Sequence, residues 1–248
     1  MSYPAYSRYA EIYDRDQTYF SRETAAYLPR LLKARGWHGQ RILDLACGTG
    51  TLALELARLD YDVWGVDLSS DMLHEAEKKA RQSKQPVTFR RQDMRQLSMP
   101  ERFDLVTCSY DSMNYLLELS EIATVCERVY QHLDPGGLFY FDMNSVHALA
   151  NMWGTKVEAE DDEELPYIWT TVFEPRKCLS SLTATFFVRR GDRYERISEV
   201  HVERGYSQEE ILAVMAAAGF ARSEAIHWGE DYPANDLTER IVYIGHKD

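Results

Sequence analysis

ILDLACGTGTLALELA, residues 42–57, starts as a run of apolar residues and breaks at Gly48 and Gly50. It resumes with Leu52, Ala53, Leu56 and Ala57 at helical spacing. A strand that enters a glycine turn and then a helix lets backbone N–H groups approach a ligand at the helix amino terminus, a crevice favoured for binding in open α/β sheets. Gly48-x-Gly50-x-x-Ala53 formally satisfies the dinucleotide fingerprint, and Asp67 ends the next apolar run, where a carboxylate can accept both ribose hydroxyls. A nicotinamide dinucleotide therefore competes as the ligand. Asp44 weighs against it, because a carboxylate repels a pyrophosphate but favours the ammonium and sulfonium of S-adenosylmethionine.

Outward from this joint, the apolar runs RILDLAC, YDVWGVDL, VTFRRQDM, FDLVTCSY and GLFYFDMN alternate with helical patterns such as MLHEAEKKARQ and IATVCERVYQHL. That alternation predicts a parallel sheet covered on both faces through right-handed crossovers. Pro135-Gly136-Gly137 is read as the stop of a helix and the turn into the fifth strand. From about residue 151 to 206 the pattern changes to three longer strands, YIWTTVFE, LSSLTATFFVRR and YERISEVHVER, with EPRK and RGDR as turns, which predicts an antiparallel meander. Ser207 and Glu210 form a capping-box pattern before EEILAVMAAA; Gly219 closes that helix, and two final strands follow near ARSEAIHW and RIVYIGHK.

The chain has 248 residues, 45% of them hydrophobic, enough for one substantial core and a small subdomain. Its 28 basic and 40 acidic residues give a net charge of -12, which argues against nucleic acid as a partner. Cys47, Cys108, Cys126 and Cys178 lack C-x-x-C spacing, and the seven histidines show no H-x-x-x-H pattern, so no metal site is expected. MSYPAYSRYAEIYDRD lacks the apolar run of a signal peptide, and no stretch approaches a membrane span of roughly 18 apolar residues. A cytoplasmic chain without membrane attachment is the expectation.

The motifs LDLACGTG, GVDLSSDML, RRQDMRQL, FDLVTCSYDSMNYL and LDPGGLFYFDMN, in this order over residues 40–145, resemble class I S-adenosylmethionine-dependent methyltransferases. YSRYAEIYDRD is similar to the Y-x-x-x-Y-D helix of small-molecule members, among them sugar N-methyltransferases and glycine or sarcosine N-methyltransferases. The resemblance implies a Rossmann-like α/β fold with a seven-stranded, mostly parallel sheet, one antiparallel strand and an inserted antiparallel meander. It divides the chain into a lid helix and cofactor-binding core (1–150), a substrate-covering insertion (151–206) and the last helix and strands of the core (207–248).

The resemblance further implies that Asp44, Gly48 and Gly50 border the methionine end of S-adenosylmethionine, that Asp67 holds its ribose, that Leu68, Met72, Asp93 and Met94 surround its adenine, and that Ala46 and Ser109 also belong to the cofactor site, with Tyr13 folded over it. Ala46 stands where the family usually has glycine. Methyl transfer to a nitrogen or oxygen of a small-molecule acceptor, with S-adenosylhomocysteine as product, is the implied reaction, and the implied assembly is a monomer or homodimer. Tyr13, Tyr110, Asn114, Tyr115 and Asp142, with Asp111 and Asn144 nearby, are candidates for orienting the acceptor or removing its proton. Bland readings stay open: Met72 and Met94 as core, Asp93 as a loop cap, Asn114 and Asp142 as caps or turn residues, and Tyr6, Tyr9 and Tyr13 as a packing stripe. The acidic residues 158–165 read as a solvated mobile loop, with a lid or an attractor of a cationic amine as the alternative, and His201 as a surface histidine, with a place on the insertion's active-site side as the alternative. An NAD(P)-dependent oxidoreductase and a noncatalytic S-adenosylmethionine-binding module remain as alternatives.

Overall fold

Alternating apolar and polar segments build two sheets in the computed structural model, which describes residues 5–15, 17–220 and 222–248. Asp16, the last residue of the quoted lid pattern, and Ala221, quoted with a final strand, lie outside the described residues. The chain runs through α1 (Thr18–Ala34), β1 (Arg41–Leu45), α2 (Thr51–Ala57), β2 (Asp62–Asp67), α3 (Ser70–Ser83), β3 (Thr88–Arg91), β4 (Phe103–Cys108), α4 (Leu119–His132) and β5 (Leu133–Asn144). It continues through β6 (Lys156–Glu160), β7 (Tyr167–Glu174), β8 (Leu179–Arg190), β9 (Arg193–Arg204), α5 (Gln208–Ala218), β10 (Arg222–His227) and β11 (Arg240–His246).

Among the described residues the larger sheet has seven strands in the order β10-β11-β5-β4-β1-β2-β3. β11 runs antiparallel to both neighbours, and the pairs among β1 to β5 are parallel. Both faces are covered, so successive strand residues enter different cores. Ile42 and Leu105 pack with Leu28, Leu32 and Leu52 on one side. Leu43 and Val106 pack with Phe139, Val125 and Met215 on the other. Phe139 is fully buried, and its truncation to alanine would cost about 3–5 kcal/mol. The predicted capping box forms: the Glu210 N–H donates to Ser207 Oγ (3.2 Å), and the Ser207 N–H donates to Glu210 Oε2 (2.8 Å).

Four local expectations change. β5 begins at Leu133, before Pro135-Gly136-Gly137, so these residues form an irregularity within the strand: pairing slips between Phe103 opposite Leu133 and Leu105 opposite Leu138. The insertion has four strands, because Glu158 to Glu160 of the acidic run extend β6 at the sheet edge, exposed, where charge discourages further strand pairing. The amino-terminal pattern folds as two short 3₁₀ turns, Arg8–Glu11 and Tyr13–Arg15, in place of one helix. Its backbone N–H groups are drawn to a carboxylate of β9, described below. His201 is a buried residue of β9, 4% exposed.

Candidate active site

At the carboxyl ends of β1 to β4 lies a cavity of about 510 Å³. β1 delivers Asp44 into it, 2% exposed. Thr107 Oγ1 donates to Asp44 Oδ1 (2.8 Å), while Oδ2 is buried with no hydrogen-bond partner among the described residues. Burial pushes the Asp44 carboxyl up to about 7, against the pull of the Thr107 hydroxyl. After β1 the chain takes left-handed conformations at Ala46 (φ 56), Gly48 (φ 55) and Gly50 (φ 73).

The two glycines serve different ends. A Cβ at Gly48 would meet no protein atom within 4 Å, so this backbone leaves room beside the cavity that it lines. A Cβ at Gly50 would lie 2.8 Å from Phe89 and 3.0 Å from Ala76, so glycine here lets α2 start against β3 and α3. Gly50 does not line the cavity.

Asp67 ends β2 and faces the same space. Its Oδ2 accepts the Gly48 N–H and its Oδ1 the Ser69 N–H, both at 2.8 Å, leaving further lone pairs on each oxygen. Burial nevertheless raises its pKa. Leu68 lines the cavity while 57% exposed, whereas Met72 is buried and presents only part of itself. Met94 and Ser109 also line the cavity, and Ser109 Oγ is buried without a partner among the described residues. Asp93 borders it, but its carboxylate caps the turn Met94–Gln96 and is gripped by Arg95, which holds its pKa down.

Of the five acceptor-side candidates, Tyr13, Tyr110 and Tyr115 line the cavity; Asn114 and Asp142 do not. The Asn114 amide donates to the carbonyls of Asn144 and Arg204 and accepts the Asn144 N–H, tying the end of β5 to β9. Asp142 accepts the N–H groups of Tyr110 (2.8 Å) and Asp111 (3.0 Å) and pairs with Arg240. Tyr110 and Asp111 are consecutive left-handed residues, φ 61 and 51, and the buried carboxylate fixes this strained turn. Asp142 thereby aims Tyr110, stacked on Phe20 with centroids 4.7 Å apart, at the cavity. Asp111 pairs with Arg240 at 2.7 Å, and Asn144 donates to Glu203.

Sequence reasoning missed what holds the amino-terminal segment over this space. Glu199 of β9, 1% exposed, accepts the N–H groups of Tyr6 (2.6 Å), Ser7 (3.1 Å) and Tyr9 (3.0 Å). Tyr9 stacks on Phe186 of β8. The Ser69 hydroxyl donates to the Tyr6 carbonyl, and Asp14 accepts from Thr49 Oγ1 (2.6 Å) and Lys79. No local pattern announces Glu199, whose partners lie some 190 positions away in sequence.

A methyltransferase domain matches residues 42–137. A Geobacillus sp. (strain WCH70) protein that carries a methyltransferase name is 35% identical over 226 residues, 90% of this chain and 91% of that protein. A solved S-adenosylmethionine-dependent methyltransferase from Clostridium acetobutylicum ATCC 824 is 32% identical with a TM-score of 0.87, covering 98% of each chain. The chain belongs to the S-adenosylmethionine-dependent methyltransferases. The nicotinamide alternative falls with that assignment. The Streptomyces venezuelae dTDP-3-amino-3,4,6-trideoxy-alpha-D-glucopyranose N,N-dimethyltransferase is 26% identical over 218 residues, 85% of this chain and 89% of that protein.

The cavity fits the family's methyl donor. The partnerless Asp44 oxygen suits a cationic group, the open side of Gly48 lets a ligand approach the backbone, and Leu68 offers an exposed apolar surface to a flat base. Among the described residues, no helix is long and apolar enough to cross a membrane.

Proposed function

We propose that this methyltransferase acts on a nitrogen or oxygen of a small-molecule acceptor. The observation that carries the reading is the amino-terminal segment tied across the cavity by Glu199, Ser69 and Asp14, with Tyr6, Tyr13 and Tyr115 as walls. Such a compartment suits a small molecule better than an extended surface. The sugar N,N-dimethyltransferase spanning most of this chain supports an amino sugar or a related amine as the first class to try.

When bound, S-adenosylmethionine supplies a methyl group on a sulfonium, open to in-line displacement by a lone pair. In our reading Asp44 faces its cationic end, Asp67 takes the ribose hydroxyls, and Leu68 and Met94 flank the adenine. Tyr13, Tyr110 and Tyr115 then align the acceptor and exclude water, which supplies much of the rate in such a reaction. Asn114 and Asp142 act from behind by fixing the turns that carry these walls. The division proposed is a cofactor site on the core, 1–150 with 207–248, and an acceptor cover from 151–206 that acts through the amino-terminal segment it holds, none of its own described residues lining the cavity. Screening amines, sugars, carboxylic acids and phenols for S-adenosylhomocysteine release tests the reading. Turnover in at least one class is expected; none in any class, with S-adenosylhomocysteine still binding, would overturn it.

A further inference from the structure

From the acceptor-side wall a string of polar groups runs back into the inserted sheet, to a histidine and a carboxylate that the methyl-transfer geometry does not use. The hydroxyls of Tyr6 and Tyr115 are 2.6 Å apart, and Tyr115 Oη lies 3.0 Å from His201 Nδ1. His201 is 4% exposed, and its other nitrogen, Nε2, is buried with no hydrogen-bond partner among the described residues. That nitrogen faces Glu199 Oε2 at 3.7 Å. The groups around the imidazole are Tyr6 and Tyr9 from the amino-terminal segment, Tyr115 from the turn after β4, Glu199 on its own strand, and apolar Leu182 paired with it from β8.

The direction of the string follows from Glu199. Burial raises the pKa of this carboxyl, but its oxygens take three backbone N–H groups and the Ser7 hydroxyl, and these four donors oppose burial by favouring the ionised carboxylate. With a proton on Nδ1, the bare Nε2 lone pair would face that carboxylate, which is repulsive; with the proton on Nε2, the N–H dipole points at it. Nδ1 is then the acceptor, Tyr115 must donate to it, and Tyr6 must donate to Tyr115. Each phenol has spent its single proton inside the protein, so what remains for the cavity, which both rings line, is oxygen lone pairs.

We infer that His201 is a positioning residue that, through Tyr115, fixes this hydrogen-bond direction, so that the acceptor end of the cavity selects molecules bearing N–H or O–H donors. Burial holds the imidazole down at about 4, so it stays neutral and the direction holds across physiological pH. Burial likewise raises the phenols of Tyr6 and Tyr115, which keeps both protonated. The inference rests on the small-molecule reading above and narrows its substrate class.

Long-range ¹⁵N–¹H NMR on ¹⁵N-histidine-labelled full-length protein, with and without S-adenosylhomocysteine, tests the string without any acceptor. Expected is a His201 ring protonated at Nε2 and bare at Nδ1 from pH 6 to 8, with the Nδ1 resonance displaced in Tyr115→Phe. A proton on Nδ1, or a charged ring at neutral pH, would overturn the inference. In the four-class screen, turnover of amines or hydroxyl compounds supports it, and turnover confined to carboxylic acids overturns it. For a compound that turns over, Tyr115→Phe should raise KM about tenfold with a smaller change in kcat and S-adenosylhomocysteine affinity within about twofold. His201→Gln, which keeps an acceptor oxygen, should retain more acceptor affinity than His201→Leu; equal affinity in the two contradicts the assignment. No turnover in any class with the expected NMR result would instead count against the small-molecule reading alone.

Discussion

A carboxyl group that is 2% exposed, with one oxygen lacking a donor among the described residues, ionises more readily when a positive charge arrives, and Asp44 is in that position. Its pKa in the free protein, about 7 against an ordinary 3.8, has two consequences of opposite sign. For folding, the ionised form is disfavoured, so Asp44 costs stability increasingly as pH rises from the ordinary value through about 7. For a ligand carrying an ammonium, binding favours ionisation and expels a proton below about pH 7, so affinity falls as pH falls. Calorimetric titration with S-adenosylhomocysteine from pH 5.5 to 8 should show weakening toward a limit of about tenfold per unit on the acid side, and Asp44→Asn should flatten it. A wild-type affinity independent of pH would exclude this role. At Ala46 the left-handed φ of 56 is strained for a residue with a Cβ, so Ala46→Gly should leave thermal stability unchanged or raise it by up to about 1 kcal/mol. A clear fall in melting temperature would contradict that account.

Among the elements, those whose cause is local were legible in the sequence. The strand, glycine turn and helix at residues 42–57, the Ser207 capping box and the alternating main-sheet strands all follow from neighbours a few positions apart. The place of Asp67, at the end of a strand beside that turn, was legible for the same reason. Long-range causes were hidden. Gly50 answers to Phe89 and Ala76, Asp142 and Asp111 to Arg240, and the amino-terminal segment to Glu199 on the inserted sheet. That last tie makes the cover and the insertion one mechanical unit. Glu199→Ala leaves three backbone donors without their carboxylate, so hydrogen exchange at Tyr6, Ser7 and Tyr9 should accelerate by at least about tenfold, while amides of β1 remain protected. Unchanged exchange at these three positions would show that Tyr9 stacking on Phe186 holds the segment without Glu199.

At the scale of the whole molecule, the two sheets serve one cavity in different ways: the parallel sheet and its first turn present Asp44, Gly48 and Asp67, whereas the inserted sheet, none of whose described residues lines the cavity, holds the amino-terminal segment that brings Tyr6 and Tyr13 over them. The central claim is that this cavity is the S-adenosyl site of a methyltransferase. Asp67 tests it most directly, because both of its oxygens are fixed by backbone N–H groups with capacity left for a ribose. Isothermal titration of S-adenosylhomocysteine into wild-type protein and Asp67→Ala is the measurement. One site per chain is expected in the wild type, with a loss of about 1.5–3 kcal/mol in a variant that still folds; equal affinity in the two proteins would contradict the assignment.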